Sequence, residues 1–318
     1  MSRAITFSEY GAPEVLRQAE VTMPEPGPGQ VRIRVRAASV NPLDLKIRSG
    51  AMAGAFPVRF PMVPGLDAAG VVDAAGENAG AAVGDAVLGA TVGGSYAAYA
   101  LLQGPVAKPA ALPFEVAASL VTVGRTAARV LGELGVRAGT TLLVHGAGGS
   151  VGILAVQLAA ARGLTVVATA GEHDFERVTA LGATAVRYGD GWPQRVRDAA
   201  PQKVDYVLDA SGAGVLADSV ALTGDSARVV TIADMSAAEH GVRFSAGTVP
   251  AGQGGQADQG GQGGRGGRAE DPLPELARMA AAGTLTLPVW RTYPLDEAAA
   301  AHADLEAHRN HGKTVLLP

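Results

Sequence analysis

Residues 141 to 152, TLLVHGAGGSVG, decide how this chain folds. Thr141 to His145 is an apolar run of the length of a buried strand, and a glycine-rich turn follows at once. The run from Val151 to Arg162 then carries helix formers with almost no breakers. Gly146, Gly149 and Gly152 stand three residues apart across the strand-to-helix turn. Glycines there let a phosphate approach the backbone closely, and the first N–H groups and partial positive charge of the helix complete an anion site. The spacing is GxxGxxG, which differs from the commoner GxGxxG fingerprint. Its context, after an apolar strand and opening an amphipathic helix, is the one dinucleotide binding requires.

Working outward, the same alternation continues. Strands are expected at Leu164–Thr169, Ala185–Tyr188, Val204–Asp209 and Ala227–Ile232, with a helix across Asp174–Leu181. Near-continuous apolar strands separated by helices describe a doubly wound parallel α/β sheet covered on both faces. Phe114–Leu134, rich in Ala, Leu and Val, reads as helix and precedes this region. Upstream the texture differs. Val31-Arg32-Ile33-Arg34-Val35-Arg36 alternates apolar and basic residues, the period of a half-buried strand. Further strands are expected at Ala69–Ala74, Ala86–Gly89 and Tyr96–Leu101, and close turn signals point to a compact β-rich domain. Downstream, residues 251–268 (AGQGGQADQGGQGGRGGR) are low-complexity and read as a flexible loop. A helix is expected at Pro274–Ala282, a strand at Leu285–Trp290, a helix at Asp296–Ala307 and a closing strand at Gly312–Leu317.

Composition narrows the function. The chain has 318 residues, more than one core usually serves, so two domains are expected. A net charge of −4 argues against a general nucleic-acid binder, and the two arginines of the Gly-rich stretch have no aromatic neighbours on which bases would stack. No uninterrupted apolar run reaches the roughly 20 residues of a membrane span, and the N-terminus lacks a secretory layout; a cytoplasmic protein is expected. The absence of cysteine excludes disulfides, a thiolate nucleophile and any sulfur-ligated zinc. The histidines show no metal-binding spacing, and His302, His308 and His311 are expected to be solvated on a C-terminal helix and its exit.

Cofactor choice turns on the end of the second parallel strand, where an Asp or Glu usually accepts from the ribose hydroxyls of a cofactor lacking a 2′-phosphate. Here the strand ends Ala168-Thr169-Ala170-Gly171, with Glu172 one residue further. The acid-free tip leaves room for NADPH, with Thr169, Arg177 and Tyr188 as candidate phosphate or ribose contacts.

Five motifs in order then carry a family likeness: AASVNPLDLKIRSG (37–50), FPMVPGLDAAGVV (60–72), VGRTA (123–127), VHGAGGSVG (144–152) and GKTVLLP (312–318). Over nearly its whole length the chain resembles the zinc-independent quinone oxidoreductase branch of the medium-chain dehydrogenase/reductase superfamily. In FPMVPGLDAAGVV, zinc-containing relatives carry a His-Glu pair instead. The resemblance implies a GroES-like catalytic domain (1–122 and 284–318) and a Rossmann NADPH-binding domain (123–283), with the cofactor in the cleft between them. It implies hydride transfer, without metal, to a quinone or an α,β-unsaturated ketone. Asn41 would sit beside the nicotinamide, which Thr126 would help to hold. The loop Gly146, Gly149, Ser150, Val151 and Gly152 would hold the pyrophosphate, Tyr188 the adenosine-phosphate side, and Lys313 would lie near the cleft floor. A metal-free site needs donors for the developing oxyanion. The Asn41 amide and the Lys46 ammonium are the expected catalytic pair, while Asp44 is expected to cap a short helix. A homodimer through the sheet edge is expected. Three departures stand out: Arg125 in VGRTA, the small apolar AMAGAF at 51–56 where a tyrosine is usual, and the Gly-rich stretch. An enoyl-thioester reductase and a non-catalytic NADPH-binding protein are the alternative readings.

Overall fold

Alternating side chains, every second one turned to the interior, build the first sheet. The computed structural model describes residues 1–247 and 270–318, and the chain divides into two units, one from Met1–Thr122 plus the C-terminal part, the other Val123–Gly247. The expected Gly-rich loop at 251–268 lies outside the described residues.

In the first unit, β1 (Ser2–Thr6) and β2 (Arg17–Val21) form an antiparallel pair. β3 (Gln30–Val40) is the long central strand; Val31, Ile33 and Val35 face the core while Arg32 reaches Asp73 at 3.0 Å. The strand enters α1 (Pro42–Ser49), followed by β4 (Asp67–Ala75), β5 (Ala86–Val92), β6 (Tyr99–Gln103) and β7 (Val106–Ala107). β3 pairs with both β4 and β6, so the meander β3-β4-β5-β6 closes on itself as a small barrel. The last of these strands starts later than Tyr96, because the Ser95 and Tyr96 amides turn to the Pro64 carbonyl instead.

Helix α2 (Phe114–Leu134) leads into the second unit. There β8 (Thr141–His145), α3 (Ser150–Ala161), β9 (Thr165–Ala170), α4 (Phe175–Ala180) and β10 (Ala183–Arg187) follow in turn. Next come α5 (Trp192–Ala199), β11 (Tyr206–Asp209), α6 (Leu216–Thr223), β12 (Val229–Thr231) and β13 (Arg243–Phe244). All six strands are parallel, in the order β10-β9-β8-β11-β12-β13. That is the Rossmann order, whose strand sequence reverses between β8 and β11, where doubly wound sheets bind ligands. Helices α5 and α6 escape a sequence reading because each is only eight residues long; burial of Trp192 and Val196 one turn apart seats α5 on the sheet.

The chain returns to the first unit as α7 (Leu273–Ala281), β14 (Val289–Pro294), α8 (Ala298–Glu306) and β15 (Lys313–Leu317). The expected boundary at 283 is corrected, since α7 packs beside β7 and groups with the first unit. The strand expected at Leu285–Trp290 begins only after Pro288, whose carbonyl instead accepts from the Lys313 amide at 2.8 Å. β14 runs parallel to β15, and β15 adds antiparallel to β3, which places Lys313 beside the end of β3. The fold is thus a Rossmann sheet domain with a GroES-like β-rich domain. Among the described residues no helix is long and apolar enough to cross a membrane.

Candidate active site

The polar center of the first unit is Asn41. It ends β3 as the N-cap of α1, and its backbone N–H donates to Asp44 Oδ2 at 2.7 Å, as the Asn-Pro-x-Asp pattern predicts. Both ends of its amide are engaged. Oδ1 accepts from Lys313 Nζ at 2.7 Å, and Nδ2 donates to Asp67 Oδ2 at 2.9 Å and to Ser39 Oγ at 3.4 Å. The Lys313 ammonium also donates to the Val40 carbonyl at 3.1 Å. Asp67 collects two further donors, Thr122 Oγ1 at 2.6 Å and Thr122 N at 3.3 Å, besides Ser39 Oγ at 3.1 Å.

The expected partner of Asn41, Lys46, does not meet it. Lys46 lies on the exposed side of α1, because Leu45, Ile47 and Arg48 occupy the faces turned inward. The ammonium that meets Asn41 is that of Lys313, brought by β15, and Asn41 acts as the hub of a buried network rather than as an open donor. Burial lowers the Lys313 pKa, and Asp67 and Asp44 partly restore it. Asp44 is pushed up to about 7, first by burial and further by Asp67, against the pull of the Asn41 amide and Lys313.

A second buried group lies behind α1. His302 of α8 is fully buried and pairs with the Tyr96 hydroxyl at 3.0 Å, while Arg48 is ion-paired with Glu306. The expectation of a solvated His302 is therefore corrected: it shares the inward face of α8 with Ala298 and Ala301. Burial, aided by Arg48, lowers its pKa to about 3. His308 and His311 are exposed.

In the second unit the glycine loop has the form read from sequence. Gly146 leaves β8 at φ +74°, open to glycine at little cost. Gly149 is the N-cap of α3, and Ser150, Val151 and Gly152 form its first turn, whose N–H groups have no acceptor within the helix. A Cβ on Gly152 would lie 2.3 Å from the Gly146 carbonyl oxygen, so only glycine lets α3 start this close to the loop. Arg177 of α4 donates to the Gly148 carbonyl at 3.1 Å and pairs with Asp174, fastening the loop from the side. These residues fit a dinucleotide pyrophosphate.

The remaining expected contacts divide. Tyr188 follows β10, is 62% exposed, and sits by the end of β9, where its amide donates to the Ala170 carbonyl at 3.4 Å. Thr169 is buried and its hydroxyl is 3.0 Å from His145 Nδ1, between β8 and β9. Thr126 is a half-buried residue of α2, next to Arg125. Sequence reasoning missed Arg187, which pairs with Glu172 at 2.8 Å across the ends of β10 and β9. It also missed Asp67, though the GLD of residues 65–67 was a signal, falling where zinc-containing relatives carry their acid.

Residues 27–107 match the family of the alcohol dehydrogenase GroES-like domain, and 181–316 that of the zinc-binding dehydrogenase. Zinc does not fit this chain. It has no cysteine, Leu66 stands beside Asp67 in place of a histidine, and the Asp67 carboxylate is already held by Ser39, Asn41 and Thr122. Among the described residues no group of three or more His, Cys, Asp or Glu could hold a metal ion. The two matches and the two sheets define a medium-chain dehydrogenase/reductase. A quinone oxidoreductase from Lama guanicoe is 32% identical over 328 residues, spanning 100% of this chain and 98% of that protein. The chain belongs to the quinone oxidoreductase branch of that superfamily. A solved NAD-dependent alcohol dehydrogenase is similar at TM-score 0.82 and 31% identity, covering 99% of each chain. A mycobacterial protein solved in complex with NADPH is similar at TM-score 0.79 and 28% identity, covering 100% of each.

Proposed function

We propose that this protein is an NADPH-dependent reductase that transfers a hydride, without metal, to a quinone or an α,β-unsaturated ketone. The observation that carries the reading is the glycine loop at the start of α3, with two arginines near the β9 and β10 ends. Gly146, Gly149, Ser150, Val151 and Gly152 would hold the pyrophosphate through backbone N–H groups. Arg187 and Tyr188 would meet the 2′-phosphate, with Arg177 keeping the loop in place. Pairing of Glu172 with Arg187 neutralises the acid nearest that position, which favours NADPH over NADH. Bound there, the cofactor supplies the hydride. In the first unit Lys313 would orient Asn41 and contribute positive charge near the developing oxyanion, with Asp67 fixing the other end of the same amide.

The branch name, the relative and the NADPH-bound neighbour support this reading. A cytoplasmic homodimer is part of the proposal; Phe244, 38% exposed on the edge strand β13, gives a second copy an apolar place to pair. The test is oxidation of NADPH or NADH by the purified protein against quinones, enones and enoyl thioesters, with a chelator present. Turnover of a quinone or enone with NADPH, unaffected by the chelator, supports the proposal. Turnover of thioesters alone moves it to a biosynthetic enoyl reductase, and binding without turnover moves it to a non-catalytic protein.

A further inference from the structure

Asn41 is met by three ionizable groups of the first unit. Lys313 lies 2.7 Å from its Oδ1, Asp67 2.9 Å from its Nδ2, and Asp44 2.7 Å from its backbone nitrogen. All three are buried, at 3%, 0% and 1% exposure. One ammonium therefore faces two carboxyls. Among the neighbouring groups, Arg48, one turn along α1 from Asp44, is ion-paired through Nη2 with Glu306 of α8, its Nε and Nη1 having no partner among the described residues, and Tyr96 and His302 pair with each other as neutral groups. With both carboxyls ionised, the cluster would bury a negative charge without a partner, which a protein interior strongly disfavours.

The hydrogen bonds decide which carboxyl carries the proton. Asp67 receives donors from Ser39, Asn41 and twice from Thr122, the pattern of a carboxylate that only accepts. Asp44 receives the Asn41 amide on Oδ2, while its Oδ1 is buried with no partner among the described residues. A proton on Oδ1 removes the charge from a buried oxygen that no donor reaches.

We propose that Asp44 is held as a neutral carboxylic acid below neutral pH and is a positioning residue whose ionization as the pH rises through neutral switches the reductase off. Neutral Asp44 leaves the Lys313 ammonium on Asn41 Oδ1 and the Val40 carbonyl, with Asp67 as the one carboxylate whose charge it offsets. Ionised Asp44 competes for that ammonium and adds negative charge to the network that holds Asn41 in place. Burial raises the Asp44 pKa in the same sense. The kinetic consequence rests on the reductase reading; the charge state does not.

Two measurements test it. Infrared spectra of the wild type near about pH 5.5 should show a protonated-carboxyl band that Asp44→Asn lacks and that disappears in alkali. The kcat of the wild type, followed from about pH 5.5 to about pH 9, should fall by up to about tenfold per pH unit above that ionization. Asp44→Asn should lose this alkaline limb, and Asp44→Glu, which keeps the carboxyl, should regain one. A merely structural Asp44 would change stability and leave the limb in place. Identical carboxyl bands in wild type and Asp44→Asn, or the same limb in both, would overturn the proposal. A band without turnover of any acceptor would uphold the charge state and count against the reductase reading alone.

Discussion

Lys313 Nζ lies 2.7 Å from Asn41 Oδ1, although 272 residues separate them in the chain. The contact exists because β15 adds to β3 with Thr314 opposite Val40, so the residue before Thr314 meets the residue after Val40. A strand from the C-terminus thus completes a polar cluster begun in the first fifty residues.

Removing that ammonium should be costly. Lys313→Met would leave Asn41 Oδ1 and the Val40 carbonyl without their donor, a loss of about 1–3 kcal/mol for each buried acceptor left unpaired, and would remove the positive charge that favours ionised Asp67. Lys46→Met, an exposed change on the same small helix, should stay within about 0.5 kcal/mol. Urea denaturation of both variants checks this; equal losses would refute the assignment of Lys313 over Lys46.

Gly152→Ala should damage the second unit locally. The added methyl would press on backbone at 2.3 Å, so α3 must shift away from the glycine loop. The expected stability loss is about 1–3 kcal/mol, as for overpacking elsewhere. Affinity for NADPH should fall by about tenfold or more, equivalent to at least about 1.4 kcal/mol. Fluorescence titration and thermal melting measure the two effects separately, and wild-type affinity in the variant would exclude the loop as the phosphate site.

Acid should act through His302. Its folded pKa of about 3 lies below the ordinary histidine value of 6.5, so below about pH 6.5 the unfolded chain takes up a proton that the folded chain refuses. This contribution to stability is complete above the unfolded pKa and is lost as pH falls toward 3, at up to about 1.4 kcal/mol per pH unit. His302→Gln keeps a polar group near Tyr96 without the titration, and its stability should decline less steeply with acid over that window. Parallel decline of the two proteins in chemical denaturation at several pH values would contradict the burial of a neutral imidazole.

Much of this was legible from residues alone. The apolar run Thr141–His145, its glycine turn and the helix after it specify their own conformations, because strand period, φ > 0 and helix propensity are local properties. The pairing of Asn41 with Asp44 was legible for the same reason, being a cap that spans three residues. Arginines alternating along β3 announced which face is buried.

What the sequence by itself determined is therefore the series of strands and helices, the phosphate loop and, through the lack of cysteine, the exclusion of sulfur-ligated zinc. Only the tertiary structure decided which lysine meets Asn41, that Thr169 turns inward to His145, and that His302 is buried against Tyr96. Each of these depends on partners far apart in the chain, and sheet register and helix packing choose such partners. A lysine at position 46 and one at position 313 look alike in sequence. The energy of burying a charge beside its counter-charge tells them apart, and that energy is set by the assembled fold.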